Sequence, residues 1–269
     1  MTALIGLAIL CGGLCAGFLT GLLGVGGGVV MVPLLYQVFL HLAEPSKAAF
    51  TTAVATSLAV MIFSGTVAAY TYYRQGQLQL QLMLWAGIGT LLGASLGARV
   101  MIASDDHWVR VGFGVFLWLV AASLFLPRAA LQAHDHVPSL RYNAGLLAVG
   151  LVMGAISSLF GVGGGALLVP ALVVLFGIAI HDAVATSTAI VVLTALFGSV
   201  NYMIIGWHDP LTPAHSIGWI QPVAWLLLLP GALFATRAGI RTATGLSRER
   251  LRNVLVLFQL VVGARFIFF

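Results

Sequence analysis

Charge is what this sequence has least of. Lys, Arg, Asp and Glu together make up 7% of its 269 residues, against 61% hydrophobic; soluble domains carry roughly 25% charged residues. A water-facing surface cannot be assembled from that composition. A soluble protein of one or two domains is therefore excluded, and lipid is the solvent for most of the chain. Between Met1 and Ala43 there is no charged residue at all, a stretch about twice the ~20 apolar residues that carry one helix across a hydrocarbon core. A basic n-region followed by a single short apolar run is also missing, so the N-terminal segment is expected to be retained rather than cleaved as a signal peptide.

Other absences narrow the function. There are two cysteines, Cys11 and Cys15, too few for a disulfide framework and without His or Cys companions at depth for a metal site. Their i, i+4 spacing reads as small residues that let apolar helices pack closely. No Asp, Glu, Lys or Arg lies near the centre of any apolar run, which disfavours a carboxylate-lined route for protons or Na⁺. Nucleophile–base constellations are missing as well, so an enzyme is not expected, and nothing calls for a cofactor. His134-Asp135-His136 offers two histidines without a third nearby ligand, so no metal is assigned. The net charge of +5 comes from basic residues gathered between apolar runs, a mark of membrane topology rather than of nucleic-acid binding.

Cutting at the charged and Pro/Gly-rich stretches leaves ten apolar runs: 3–23, 25–42, 48–73, 80–102, 108–126, 142–160, 162–180, 183–206, 217–236 and 251–269. In lipid the backbone must satisfy its own hydrogen bonds, so these runs are helices; alternating ten-residue barrel strands are not seen. If all ten cross, one set of loops holds Arg74, Arg128, Arg141, Arg237, Arg241, Arg248, Arg250 and Arg252. The opposite set, with the C-terminal segment, holds only Lys47, Arg99, Arg110 and Arg265. The positive-inside rule then puts the first set in the cytoplasm and both termini outside. Eight crossings, with the glycine-broken pair of each half not fully spanning, remain an open alternative.

What is present in abundance is glycine, 32 residues, and it is organised. Gly17-Phe-Leu-Thr-Gly-Leu-Leu-Gly24-Val-Gly26-Gly27-Gly28-Val-Val-Met-Val-Pro33 returns as Gly154-Ala-Ile-Ser-Ser-Leu-Phe-Gly161-Val-Gly163-Gly164-Gly165-Ala-Leu-Leu-Val-Pro170. Ala53-Val-Ala-Thr56-Ser57 returns as Ala183-Val-Ala-Thr186-Ser187, and Gly93-Ala94 with Arg99 as Gly231-Ala232 with Arg237. Three blocks in one order mark a tandem duplication: a first transmembrane repeat at 1–126, a linker at 127–140 and a second repeat at 141–269. The fold expected is an all-α integral membrane protein of about ten helices in two repeats of five. Five crossings per half would place the second copy upside down, the inverted arrangement common among secondary transporters.

Each Gly-Val-Gly-Gly-Gly interrupts an apolar run. Glycine disfavours a helix interior by about 1 kcal/mol relative to Ala, and the proline shortly beyond removes an amide donor. Helices broken at the midplane are therefore expected, with irregular backbone buried in protein or lining a cavity. A broken helix exposes a fresh N-terminus, whose unpaired amides and macrodipole favour an anion. The candidate ligands are Gly24, Gly26, Gly27, Gly28, Gly161, Gly163, Gly164 and Gly165, joined by the in-helix hydroxyls of Thr56, Ser57, Thr186 and Ser187 and by the Asn201 amide. Tight helix packing is the competing account of the glycines, and back-bonding to the i−4 carbonyl that of the hydroxyls. Arg99 and Arg237, at matching helix ends, suit either snorkelling or a gate or entrance funnel for anions. The tyrosines at 70, 72, 73 and 202 read as interface anchors. A dinucleotide fingerprint is rejected, because no strand precedes the glycines.

The doubled Gly-Val-Gly-Gly-Gly with its downstream proline, the Ala-Val-Ala-Thr-Ser blocks and Pro230-Gly231-Ala232 resemble the sulfite exporter TauE/SafE family over nearly the whole chain. The resemblance implies a prokaryotic plasma-membrane permease for a sulfur-containing or organic anion of the sulfite, thiosulfate or sulfoacetate kind. Its partners would be that anion and the lipid bilayer, with no nucleic acid and a homodimer left open. An anion channel using the same helix ends is the alternative.

Overall fold

The computed structural model describes residues 3–23, 27–42, 44–124, 139–242 and 248–268. Gly24, Gly26, the His134-Asp135-His136 stretch and the expected linker, apart from Ser139 and Leu140, lie outside the described residues. Within the described residues the chain forms ten α-helices and no strand. They are α1 (Ala3–Leu23), α2 (Gly28–His41), α3 (Ser46–Arg74), α4 (Leu80–Ala103), α5 (Asp106–Ser123), α6 (Leu140–Phe160), α7 (Gly165–Phe176), α8 (Ile180–Gly206), α9 (Pro222–Thr242) and α10 (Arg248–Phe268). Each coincides with one apolar run. The protein is an all-helical integral membrane protein, and α3, α4, α6, α8 and α9 are each long and apolar enough to cross a bilayer.

Helix α9 departs most from its expected bounds. It starts at Pro222 rather than near 217, because Ile217 and Ile220 pair in a tight turn around Gly218 at φ +56°. Pro222 then sits at the first helical position, where its missing amide costs nothing. The helix also runs past Arg237 to Thr242; an exposed arginine does not end a helix whose other face is buried.

Helices α2 and α7 are the short ones, at 14 and 12 residues. At 1.5 Å per residue they reach only about 21 and 18 Å, less than the ~30 Å hydrocarbon core.

Packing runs between the halves as much as within them. Helix α1 lies on α9, α4 on α6, α3 on α8 and α5 on α10. Exchanging α1–α5 with α6–α10 turns this set of contacts into itself, as it does the pairs α2·α3 with α7·α8 and α4·α8 with α3·α9.

Two of these seams have no room for a side chain. A Cβ at Gly17 or Gly21 would land on the carbonyl oxygen of Ala232 or Thr236, and Gly13 faces Leu228 in the same way. On the other seam Gly89, Gly93 and Gly97 of α4 abut the carbonyls of Leu147, Leu151 and Ala155, while Gly150 and Gly154 of α6 abut those of Ala86 and Thr90. Backbones in this register run parallel. Apolar side chains gain little by leaving lipid for one another, so close backbone approach is what associates such helices. Leu58 beside Gly198 and Gly65 beside Val192 make α3 and α8 antiparallel.

Cys11 and Cys15 are exposed and do not serve a seam, contrary to the packing role expected for them. The tight face of α1 is the one carrying Gly13, Gly17 and Gly21. Lys47, expected in a loop, stands in the first turn of α3 and donates to the carbonyl of Ile102 at 2.9 Å, covering an orphan acceptor at the end of α4.

Gly93→Ala should therefore destabilise by about 1–3 kcal/mol, since no carbonyl can withdraw from a parallel seam without moving its helix. Gly112→Ala, whose Cβ would sit an ordinary 3.4 Å from Phe160, should change stability by less than about 0.5 kcal/mol. Thermal unfolding of the purified variants in detergent checks both.

Candidate functional site

The second glycine break is described throughout. Helix α6 ends at Phe160 and α7 starts at Gly165. Between them Gly161, Gly163 and Gly164 take φ values of +65°, +82° and +71°. A side chain in the left-handed region costs roughly 1–2 kcal/mol, so glycine is what permits a reversal this tight. The amides of Gly161 and Val162 donate to the Ser157 carbonyl, Val162 at 3.3 Å, and close the end of α6. Residues 161–166 are all buried, as irregular backbone in a membrane protein has to be.

Helix α3 forms one wall. A Cβ on Gly161 would stand 2.8 Å from Ser57 Oγ and 2.9 Å from Val54 Cα, and one on Gly163 would stand 2.9 Å from Met61 Sδ. Ser57 donates its hydroxyl at 2.8 Å to the carbonyl of Gly161, sharing the proton with Val54 of its own helix. One otherwise bare carbonyl of the break is thereby satisfied. From the first half, Gly28 reaches the same place: its Cβ position coincides with the Gly161 carbonyl and lies 2.6 Å from Val162 Cα. Gly27, the residue before α2, has a right-handed φ of −72° and packs on Ala16. The start of α2 thus touches the break that precedes α7.

The two helix starts share a bonding pattern. Leu167 and Leu168 donate to the Gly164 carbonyl at 3.2 and 2.9 Å, leaving Gly165 and Ala166 as the first-turn amides without such an acceptor. At α2, Val30 and Met31 donate to Gly27 at 3.1 and 3.0 Å, leaving Gly28 and Val29 without a backbone acceptor among the described residues. Pro33 and Pro170 occupy the sixth position of their helices.

The other expected ligands have partners. Thr56 accepts from the amide of Gln221 at 3.0 Å, and Thr186 accepts from the amide of Gln79 at 3.3 Å. Each hydroxyl thus caps the entry to the helix, α9 or α4, that begins in the opposite half. Ser187 bonds back to Val184 at 3.0 Å. Asn201 donates to Ser95 of α4 at 3.2 Å and to Phe197 at 2.8 Å. Arg99 and Arg237 are exposed. Tyr70 and Tyr73 are exposed as well, but Tyr202 is wholly buried and donates to the carbonyl of Ser158 at 3.0 Å; it is part of the core around the break, not an interface anchor.

The roles of Gln79 and Gln221 were invisible in the sequence. Their backbone amides meet the two threonines, and the Gln79 side chain also donates to Asp182 of α8 at 2.8 Å. Ser157 and Ser158 sit inside the repeated block, but only their packing reveals that both hydroxyls are buried and have no hydrogen-bond partner among the described residues.

The model of the sulfite exporter TauE/SafE family matches residues 9–266. Among similar proteins, the probable membrane transporter protein YunE of Bacillus subtilis is 31% identical over 95% of both chains. A probable membrane transporter protein of Haemophilus influenzae is 28% identical over 96% of both. A third, MJ0441 of Methanocaldococcus jannaschii, is 25% identical over 93% of this chain and 91% of its own. No solved structure matches the chain.

Removing the two cross-half caps should be costly. Thr56→Val and Thr186→Val each leave a partly buried amide without its acceptor, a loss of about 1–2 kcal/mol. Ser187→Ala gives up only a bond to its own helix and should stay within about 0.5 kcal/mol. Thermal melts of the three purified variants compare them.

Proposed function

The chain belongs to the sulfite exporter TauE/SafE family and is a membrane transporter, and on that premise we propose that it is a secondary transporter of a small sulfur-containing oxyanion or sulfonate. The substrate is held where the two helix breaks meet. The carrying observation is the contact of Gly28 with Gly161 and Val162, which brings the starts of α2 and α7 to one buried place. The amides of Gly28, Val29, Gly165 and Ala166 are then the donors that replace water around the anion. Positive helix ends add about half a charge each, and they do so without a lysine or arginine whose own burial would cost several kcal/mol. Ser57, Thr56 and Thr186 hold the surrounding backbone in position, while Ser187 bonds within its own helix and Asn201 ties α8 to Ser95 of α4.

Alternating access follows from the two halves. The homologous Ala-Val-Ala-Thr-Ser blocks lie on α3 and α8, which run antiparallel; this supports an inverted repeat. Two halves of near-equal stability can exchange conformations, and the exchange turns an outward-open site into an inward-open one. With the termini outside, as the arginine distribution has them, the chain sits in the inner membrane of a prokaryote. Exposed Arg99 and Arg237 add positive potential at the approaches.

Thiosulfate, sulfite or a short sulfonate should raise the melting temperature of the purified protein, by the equivalent of about 2.7 kcal/mol at a hundred times Kd. Gly164→Leu and Gly27→Leu should insert normally yet lose both that shift and flux into proteoliposomes. Retained binding in a folded Leu variant would sink the site. Flux that neither saturates nor shows counterflow would make the protein a channel.

A further inference from the structure

The two breaks are not equivalent in the side chains beside them. Ser157 in the second half corresponds to Thr20 in the first, at the shared offset of the repeated block. Thr20 donates its hydroxyl at 2.8 Å to the carbonyl of Ala16, one turn back in its own helix. Ser157 is 0% exposed, and its hydroxyl has no hydrogen-bond partner among the described residues.

That hydroxyl lies at the mouth of α7. Its Oγ is 3.4 Å, and its Cβ 3.1 Å, from the position a Cβ would take on Gly164, the residue before the helix. The first-turn amides of Gly165 and Ala166, without an acceptor among the described residues, follow immediately. A serine in a membrane helix has an easy partner in the carbonyl four residues back; Thr20 takes it and Ser157 does not. A buried donor left without an acceptor is destabilising. Such a group calls for an explanation, and a ligand that completes it supplies one.

We propose that Ser157 is a substrate-contacting residue, donating its hydroxyl to an oxyanion that also takes the amides of Gly165 and Ala166. The second break is thus the principal binding half. This rests on the anion reading above and adds to it a named side chain and an asymmetry. Three neutral donors on one side suit the three-oxygen face of a sulfonate, sulfite or thiosulfate group better than the two oxygens of a carboxylate. Gly164 permits the approach, since any side chain there would meet Ser157.

The test is calorimetric binding of thiosulfate and methanesulfonate to the purified full chain, with apo melting temperatures measured alongside. Ser157→Ala should weaken both ligands about tenfold or more, the usual consequence of losing a hydrogen bond to a charged group. Its apo melting temperature should stay the same or rise, because an unpaired buried hydroxyl has been removed. Thr20→Val should bind within about twofold of wild type, and Ser157→Thr should retain affinity. If Ser157→Ala yields no folded protein, Ser157→Cys, with its weak donor, carries the same comparison. A fall in apo stability with unchanged affinity would show a structural serine and overturn the proposal, as would equal losses from Ser157→Ala and Thr20→Val. A wild type that binds neither probe removes the anion reading and this inference with it; a wild type that binds while Ser157→Ala matches it removes this inference alone.

Discussion

Contact between bare backbones of opposite halves is the constraint on which the rest of this structure depends. Helix α1 can lie on α9, and α4 on α6, only because Gly17, Gly21, Gly89, Gly93, Gly97 and Gly150 put nothing between one helix and the carbonyls of the other. In lipid there is no hydrophobic gain in bringing apolar side chains together, so dispersion over close-packed backbone has to supply the association. The seams are parallel and come in a related pair, each joining the first helix of one half to the fourth of the other. The halves are consequently interleaved, and neither has a core of its own.

That interleaving is what makes irregular backbone tolerable at depth. The break between α6 and α7 turns through three left-handed glycines, and every polar group it frees must find a partner inside the protein. The Gly161 carbonyl finds Ser57 on α3, the amides of Gly161 and Val162 find Ser157, and the start of α2 closes over the top. What is left after this satisfaction is a small set of donors with no acceptor: first-turn amides and the Ser157 hydroxyl. The chemistry of the candidate site is thus the residue of the packing problem. Those donors are what an anion requires.

The hydroxyls near the site divide into two kinds. Thr56 and Thr186 are committed to holding the entries of α9 and α4, each across to the other half. Ser57 is committed to the break itself. They act through backbone position, so a change at any of them would move the amides that meet substrate. Ser157, which stands beside Gly164 at the α7 start, is uncommitted among the described residues, as is the neighbouring Ser158. At corresponding positions of the repeated block, Thr20 bonds to its own helix and Ser157 does not.

Much of this was legible without coordinates. The ten helices follow from apolar runs, because lipid leaves the backbone no alternative to helix, and the interruption at Gly161–Gly165 follows from glycines ahead of Pro170. The duplication is written in three ordered blocks. Other features depended on contacts between residues far apart in the chain. Glycine serves both as break and as seam, and only the positions of Ala232 and Leu151 reveal that Gly17 and Gly93 are seams. Thr56 and Ser157 look alike in sequence, each a hydroxyl in an apolar helix. What separates them is the amide of Gln221, 165 positions away from Thr56, and the absence of any such group beside Ser157 among the described residues. Local composition determines where a chain can be helical. Which polar groups end without a partner is decided by which segments arrive beside them, and that is a property of the tertiary structure alone.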